Sequence, residues 1–251
     1  FLFSQNEVGK ILYGVYCSSC HGLNGNGKGE LAFLLYPKPR DLTAGLFKIR
    51  STKAGNPPTD NDLITTITNG MPGTAMPAFS FLKDNEIKSL VDIVKEFSGI
   101  ENGDIKPIDI PDELPPTEEL IALGKTIYIE VGCSMCHGDA GKGDGPSSRK
   151  LSDSHGYPIV PKNFTSGVYL GGGRAQDLYL RFLAGMDGTP MPSYGNLSDV
   201  LGKTKEDENK LSWALVHYVK SLEKSKDENK NVMPENGVIS ATKTGRYIEA
   251  D

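Results

Sequence analysis

The sequence predicts an all-α protein built as two copies of one small helical unit. Three observations carry this expectation. Apolar residues recur at helical spacing behind recognisable caps, strand-like alternation is scarce, and the two halves of the chain repeat one another. The 251 residues suit one large domain or two ordinary ones, and 29 Gly with 16 Pro point to units rich in loops.

The elements follow in order. Ser4 and Glu7 form an S-x-x-E capping box, after which Val8, Ile11, Leu12 and Val15 keep helical spacing. Thr59 and Asp62 cap a short helix that ends near Gly70. Ile87, Leu90, Val91, Val94 and Phe97 form a longer helix stopped by Gly99. Thr117, with Glu118 and Glu119 behind it, opens the first helix of the second half, and Leu211, Leu215, Tyr218 and Leu222 form its last. Each unit thus has three to five helices joined by long Gly/Pro loops, a core small enough to need a staple.

The repeat is detailed. "CHGLNGNGKG" (20–29) matches "CHGDAGKGDG" (136–145), "PRDLTAGLF" (39–47) matches "PKNFTSGVY" (161–169), and "LVDIVKEF" (90–97) matches "LVHYVKSL" (215–222). "DLITTITNGM" (62–71) faces "DLYLRFLAGM" (177–186), and each runs into a loop with a second methionine, Met76 or Met191. The expected organisation is a first unit over 1–104, a Pro-rich extended linker over 105–116, a second unit over 117–222 and a polar tail over 223–251.

A net charge of −5 with scattered basic residues argues against a nucleic-acid partner. No apolar run reaches the roughly 18 to 20 residues of a membrane span. "FLFSQNE" at the start lacks the basic and long apolar regions of a signal peptide.

All four cysteines fall into two C-x-x-C pairs, each followed at once by histidine: "CSSCH" (17–21) and "CSMCH" (133–137). A thioredoxin-like redox pair wants a βαβ setting that the pattern lacks. One zinc shared by both motifs would intertwine the repeats, whereas duplication implies self-contained units. The third reading is one covalently bound haem c per unit, with thioethers at Cys17 and Cys20 or Cys133 and Cys136 and iron ligation by His21 or His137. It consumes every cysteine and supplies each small core with a large apolar filling. The runs "GLNGNGKG" and "GDAGKGDG" lack the strand-turn-helix setting and the K-[ST] ending of a phosphate loop, and read as tight loops passing a haem edge. His155 reads as a surface residue of an insertion, 146–160, that only the second half carries. His217 reads as solvent-facing because its repeat partner is Asp92.

With amphipathic helix, C-x-x-C-H, Gly-rich loop, Met-Pro loop and C-terminal helix in that order, each half resembles a class I cytochrome c domain, over roughly 1–99 and 117–222. The resemblance implies a tandem dihaem protein of two cytochrome c-like helical domains. A soft thioether suits haem iron and must approach from the face opposite the histidine. Met76 and Met191 are the expected ligands, because each sits in a stiff Met-Pro step of the class I kind, with Met71 and Met186 as alternatives. The resemblance further implies that the carbonyls of Pro39 and Pro161 accept the histidine Nδ1–H. Arg50 and Arg174, with Arg40 and Lys162, are candidate propionate partners; the alternative for each, since the basic positions align only loosely, is a plain solvated cation.

The function expected is single-electron transfer between redox protein partners in the bacterial periplasm, as a carrier rather than an enzyme, with a partner as the route to any membrane association. The rivals are an electron-transfer subunit of a larger oxidoreductase, with the tail as a docking strap, and a dihaem enzyme such as a peroxidase, which would need an open haem. The second half is the more acidic (17 basic against 21 acidic residues from 105 onward, 10 against 11 before it), so its haem is expected at the lower potential.

Overall fold

The computed structural model describes residues 4–101, 103 and 105–223. Beyond Glu223, the expected polar tail lies outside the described residues. The first half carries α1 (Gln5–Tyr16), α2 (Ser18–His21), α3 (Asp60–Asn69) and α4 (Asp84–Ser98). The second carries α5 (Glu118–Glu130), α6 (Cys133–His137), α7 (Ala175–Ala184), α8 (Leu197–Val200) and α9 (Glu208–Ser221). The description contains no strand, only an isolated antiparallel bridge between Ser152 and Pro158.

The caps form as the sequence requires. Ser4 and Glu7 bond reciprocally, as do Thr59 and Asp62, and the Thr117 side chain accepts from the Leu120 N–H. Each cap satisfies orphan amides and contributes about 1 kcal/mol. Gly99 closes α4 in the left-handed conformation, at φ 64°.

Each half is built on a crossing of its first and last long helices, α1 over α4 and α5 over α9. The backbones touch there: a Cβ on Gly9 would meet the Ser89 carbonyl, and one on Gly124 the Ala214 carbonyl. This close approach sets which face of α1 is inward. Gly9 and Tyr13 are buried, whereas Ile11 and Val15, which share the helical period, stand 52% and 66% exposed. Spacing alone groups them with Val8 and Leu12 on one apolar stripe; the close crossing at Gly9 turns them outward.

Two apolar cores result. One gathers Tyr13, Leu63, Ile67, Ile87 and Leu90; the other gathers Ile127, Tyr128, Leu178, Phe182, Trp213 and Leu215. The segment 105–116 has no regular structure, yet it is fastened. Ile108 N–H donates to the Ser51 carbonyl at 2.7 Å, and Ile110 and Leu114 pack on the second core. That packing corrects the reading of His217. It is buried beneath the segment, its Nε2 hydrogen-bonded to the Leu114 carbonyl at 2.6 Å, while Asp92, at the equivalent place on α4, is exposed and accepts from the Gln5 side chain.

The halves also touch directly. Ile49 packs on Gly171, and the Tyr36 hydroxyl donates to the Pro158 carbonyl. Within the second half, Ser154 N–H donates to the Gly188 carbonyl at 3.0 Å. The 146–160 insertion thus braces the second methionine loop from one side and meets the first half on the other.

Candidate cofactor sites

Each C-x-x-C-H motif forms a short helix directly after the long first helix of its half. A buried tyrosine fixes the joint: Tyr13 donates to the Gly22 carbonyl at 2.8 Å, and Tyr128 to the Gly138 carbonyl at 2.6 Å. The helical turn carries both thiols and the imidazole to one wall of a cavity, which in the first half is lined by Cys17, Cys20 and His21.

The histidines are oriented alike. His21 Nδ1 lies 2.9 Å from the Arg40 carbonyl, and His137 Nδ1 lies 3.0 Å from the Lys162 carbonyl. A carbonyl only accepts, so Nδ1 carries the hydrogen and Nε2 keeps its lone pair for a metal. Burial pulls both imidazoles below the usual histidine range and keeps them neutral.

These acceptors correct the expectation for Pro39 and Pro161 by one residue. The glycine loop sets the register: Gly27 N–H donates to the His21 carbonyl, and Leu42 N–H to the Gly25 carbonyl. Gly27 lies flat against the Pro39 carbonyl, and Gly143 against that of Pro161. The proline carbonyls therefore face the loop, and the next one reaches the imidazole. Pro39 itself still lines the first cavity.

The first thiol of each pair is not activated. Burial, then the neighbouring Cys20, pushes Cys17 up to about 11; burial pushes Cys133 up to about 12. A dithiol oxidoreductase needs the opposite shift in its nucleophile. Among the described residues, no group of three or more His, Cys, Asp or Glu is arranged to hold a metal ion.

The methionine loops share one hydrogen-bond plan. Met71 N–H donates to the Met76 carbonyl and Met186 N–H to that of Met191, both at 3.1 Å. Thr74 and Thr189 clamp the turn, each hydroxyl donating to the first methionine's carbonyl and accepting from the second methionine's amide. Met71 and Met76 both line the first cavity. In the second half Met191 packs on the core, and Tyr194, three residues on, is pushed up to about 12 by burial and by the nearby sulfurs of Cys133 and Cys136. The loop and the cysteine pair therefore face a common space.

The residues present fit a haem. Two thiols and a neutral imidazole line the first cavity together with two thioethers of the methionine loop, and the remaining lining is mostly apolar, including Leu63, Ile67, Leu90 and Val94. The proximal walls differ: His137 stacks on Phe164 with ring centroids 4.3 Å apart, while the equivalent position in the first half is Leu42.

Two expected propionate partners are engaged elsewhere. Arg50 is 1% exposed and crosses to the other half, where it bonds the Ala184 and Gly185 carbonyls and Asp187. Arg174 is largely exposed and closes on Asp177 three residues ahead, capping α7. Arg40 lines the first cavity together with Lys48, a residue the repeat did not flag because its partner is Leu170. Lys162 lies by the first methionine loop, near Gly73, and Arg40 by the second, near Gly188. His155 is exposed.

Comparison with known proteins supplies four findings. Residues 4–92 match the family model for cytochrome c oxidase, cbb3-type, subunit III, and residues 121–223 match the cytochrome c model. The cbb3-type cytochrome c oxidase subunit FixP of Azorhizobium caulinodans is 27% identical over 74% of the chain, which spans about half (52%) of that relative's length. A chain of the Kuenenia stuttgartiensis reducing HAO-like protein complex Kustc0457/Kustc0458 is 39% identical, with a TM-score of 0.80, covering 89% of this chain and 100% of that one.

Proposed function

The chain belongs to the cytochrome c family, as two such domains in tandem, and from that premise we propose that it relays single electrons between redox proteins of the bacterial periplasm through two His/Met-ligated centres. When bound, haem c supplies a one-electron ferric/ferrous couple. The chain does the rest. Cys17 and Cys20, or Cys133 and Cys136, anchor the group, and a backbone carbonyl aims the Nε2 of His21 or His137. Met76 and Met191 deliver a thioether from a threonine-clamped loop, which favours a raised potential. Protein ligands on both faces leave no position for a substrate, which is why a carrier is preferred to a dihaem enzyme.

The observation that carries this reading is the pair of neutral, carbonyl-oriented histidines, each beside a C-x-x-C pair whose first thiol is held protonated by burial, repeated in both halves. The expected mass of the native protein is that of the chain plus two haems, with low-spin spectra and no carbon monoxide binding at neutral pH. One haem, haem extractable by acidified organic solvent, or rapid carbon monoxide binding by most of the ferrous protein overturns it.

A second reading, an electron-transfer subunit of a larger oxidoreductase, is favoured by a surface difference between the halves. Ile11, Val15, Phe33, Leu34 and Phe81 are all more than half exposed around the first cysteine motif. The tyrosines, histidines and methionines of the two halves set the register, and at the matching positions the second half carries Thr126, Glu130, Arg149, Lys150 and Asn196. The fold therefore does not need apolar groups there, and exposed apolar patches of this kind mark protein interfaces. The similar Kuenenia chain comes from a complex. The partner expected is a protein subunit with an apolar docking face. Native protein is expected to migrate in a complex in size-exclusion of a cell extract, and Val15→Glu with Phe81→Ser to migrate as free chain with unchanged spectra. Co-migration that survives both substitutions rules the surface out.

A further inference from the structure

Arg50 reaches out of its own half and grips the other at one point. Its side chain is fully buried, and its guanidinium donates to the carbonyls of Ala184 and Gly185 and to the Asp187 carboxylate. Those residues end α7 and open the second methionine loop, with Asp187 directly after Met186. The next residue is held as well. Ser154 N–H donates to the Gly188 carbonyl, and the Arg40 guanidinium lies near Gly188 itself. Separating a buried ion pair leaves a charge without its partner, so a loop that carries Asp187 does not swing away freely.

The first loop has no such strut. The repeat places Pro72 where the second loop has Asp187, and Gly172 where the first half has Arg50. Neither has a charged side chain, so the reciprocal pair cannot form. Inside the turn the two loops are alike, closed by the same methionine and threonine hydrogen bonds. What distinguishes the second loop is its anchorage to the other half.

We propose that Arg50 is a positioning residue for the distal ligand of the second haem: through Asp187 it fixes the loop that presents Met191. The first half thereby holds the second half's thioether in place. The proposal rests on the His/Met reading above. Arg50 acts through the loop backbone rather than on the iron. A thioether leaves and returns as its loop opens and closes, so the rate at which carbon monoxide takes its place reports that opening.

The test is carbon monoxide binding to the reduced, full-length dihaem protein in two backgrounds. Met76→Ala opens the first haem, so the slow phase there belongs to the second; Met191→Ala reverses the assignment. Arg50→Met is expected to speed the second haem's slow phase about tenfold or more, the consequence of losing a buried pair. It is expected to leave the first haem's slow phase unmoved, although Arg50 belongs to the first half. Arg50→Lys, which keeps a charge beside Asp187, is expected to stay closer to the parent than to Arg50→Met. Arg50→Met with Asp187→Ala separates positioning from stability: resistance to denaturant is expected to recover while the second haem still binds fast. A slow phase that returns to the parent rate along with stability makes Arg50 a structural residue only and overturns the proposal. An unchanged second haem in Arg50→Met overturns it too, as does equal acceleration of both haems. Should Arg50→Met fail to fold, the double variant and Asp187→Asn are read by the same criteria. The oxidised samples report the sulfur-to-iron charge-transfer absorption. Native protein without it sinks the His/Met reading and the proposal together; absorption present with the slow phase unmoved sinks only the role of Arg50.

Discussion

Met76→Ala is expected to abolish the sulfur-to-iron charge-transfer absorption of the first haem and to open that haem to carbon monoxide, while Met71→Ala leaves both unchanged. Both methionines reach the first cavity, so proximity does not choose between them. The loop does. Met71 directly follows Gly70, which ends α3, and its amide and carbonyl are held by the Met76 carbonyl and Thr74 as the base of the turn. Met76 is followed by Pro77, whose fixed φ stiffens the chain that presents the sulfur, and by Phe79, buried at the edge of the same cavity. The same logic assigns Met191 over Met186. Loss of a soft axial thioether lowers the potential as well as the absorption, so both readouts are expected to move together. Loss of the absorption in Met71→Ala, with Met76→Ala normal, transfers the role to the first methionine.

Asp187→Ala is expected to cost about 3 kcal/mol of stability, at the low end of the roughly 3–5 kcal/mol for breaking a buried ion pair. The Arg50 side chain is wholly inaccessible, and Asp187, 2.7 Å away, is its only bonded carboxylate among the described residues. Removing it strands a cation in the boundary between the halves. The carbonyls of Ala184 and Gly185 still accept from Arg50, which is why the low end is the better estimate. Arg50→Met in the Asp187→Ala background is expected to recover much of the loss, because a well-packed apolar pair often matches a buried ion pair. Denaturant unfolding followed at the haem absorption measures both. A cost below about 0.5 kcal/mol, the level of an exposed pair, would show that water replaces the carboxylate and that the halves do not depend on this contact.

Much of the molecule was legible in the sequence because its signals are local. Capping boxes join residues three apart, helical periods show within a dozen residues, and a C-x-x-C-H motif places sulfurs and imidazole on a single turn. The duplication added a second, independent reading of each element. The repeat even set limits where it broke: a position holding Pro72 in one half and Asp187 in the other is visible in the alignment, but its meaning is not.

What the tertiary structure decided lies in contacts with no local period. The sequence by itself determined two helical units, their cysteine and histidine motifs and their methionine loops. It did not determine which carbonyl meets the imidazole, since that depends on a glycine loop folding under the segment from Pro39 and moving the register by one residue. Nor did it place Ile11 and Val15 outside, a consequence of two backbones meeting at Gly9 and Ser89. His217 is inside because a segment over a hundred residues away in sequence covers it. Arg50 belongs to the boundary rather than to a cofactor because its partners sit 134 to 137 residues along the chain. A charged side chain looks the same in sequence whether it faces water or another domain; only the packing of the two halves takes it out of solvent and makes its partner a requirement.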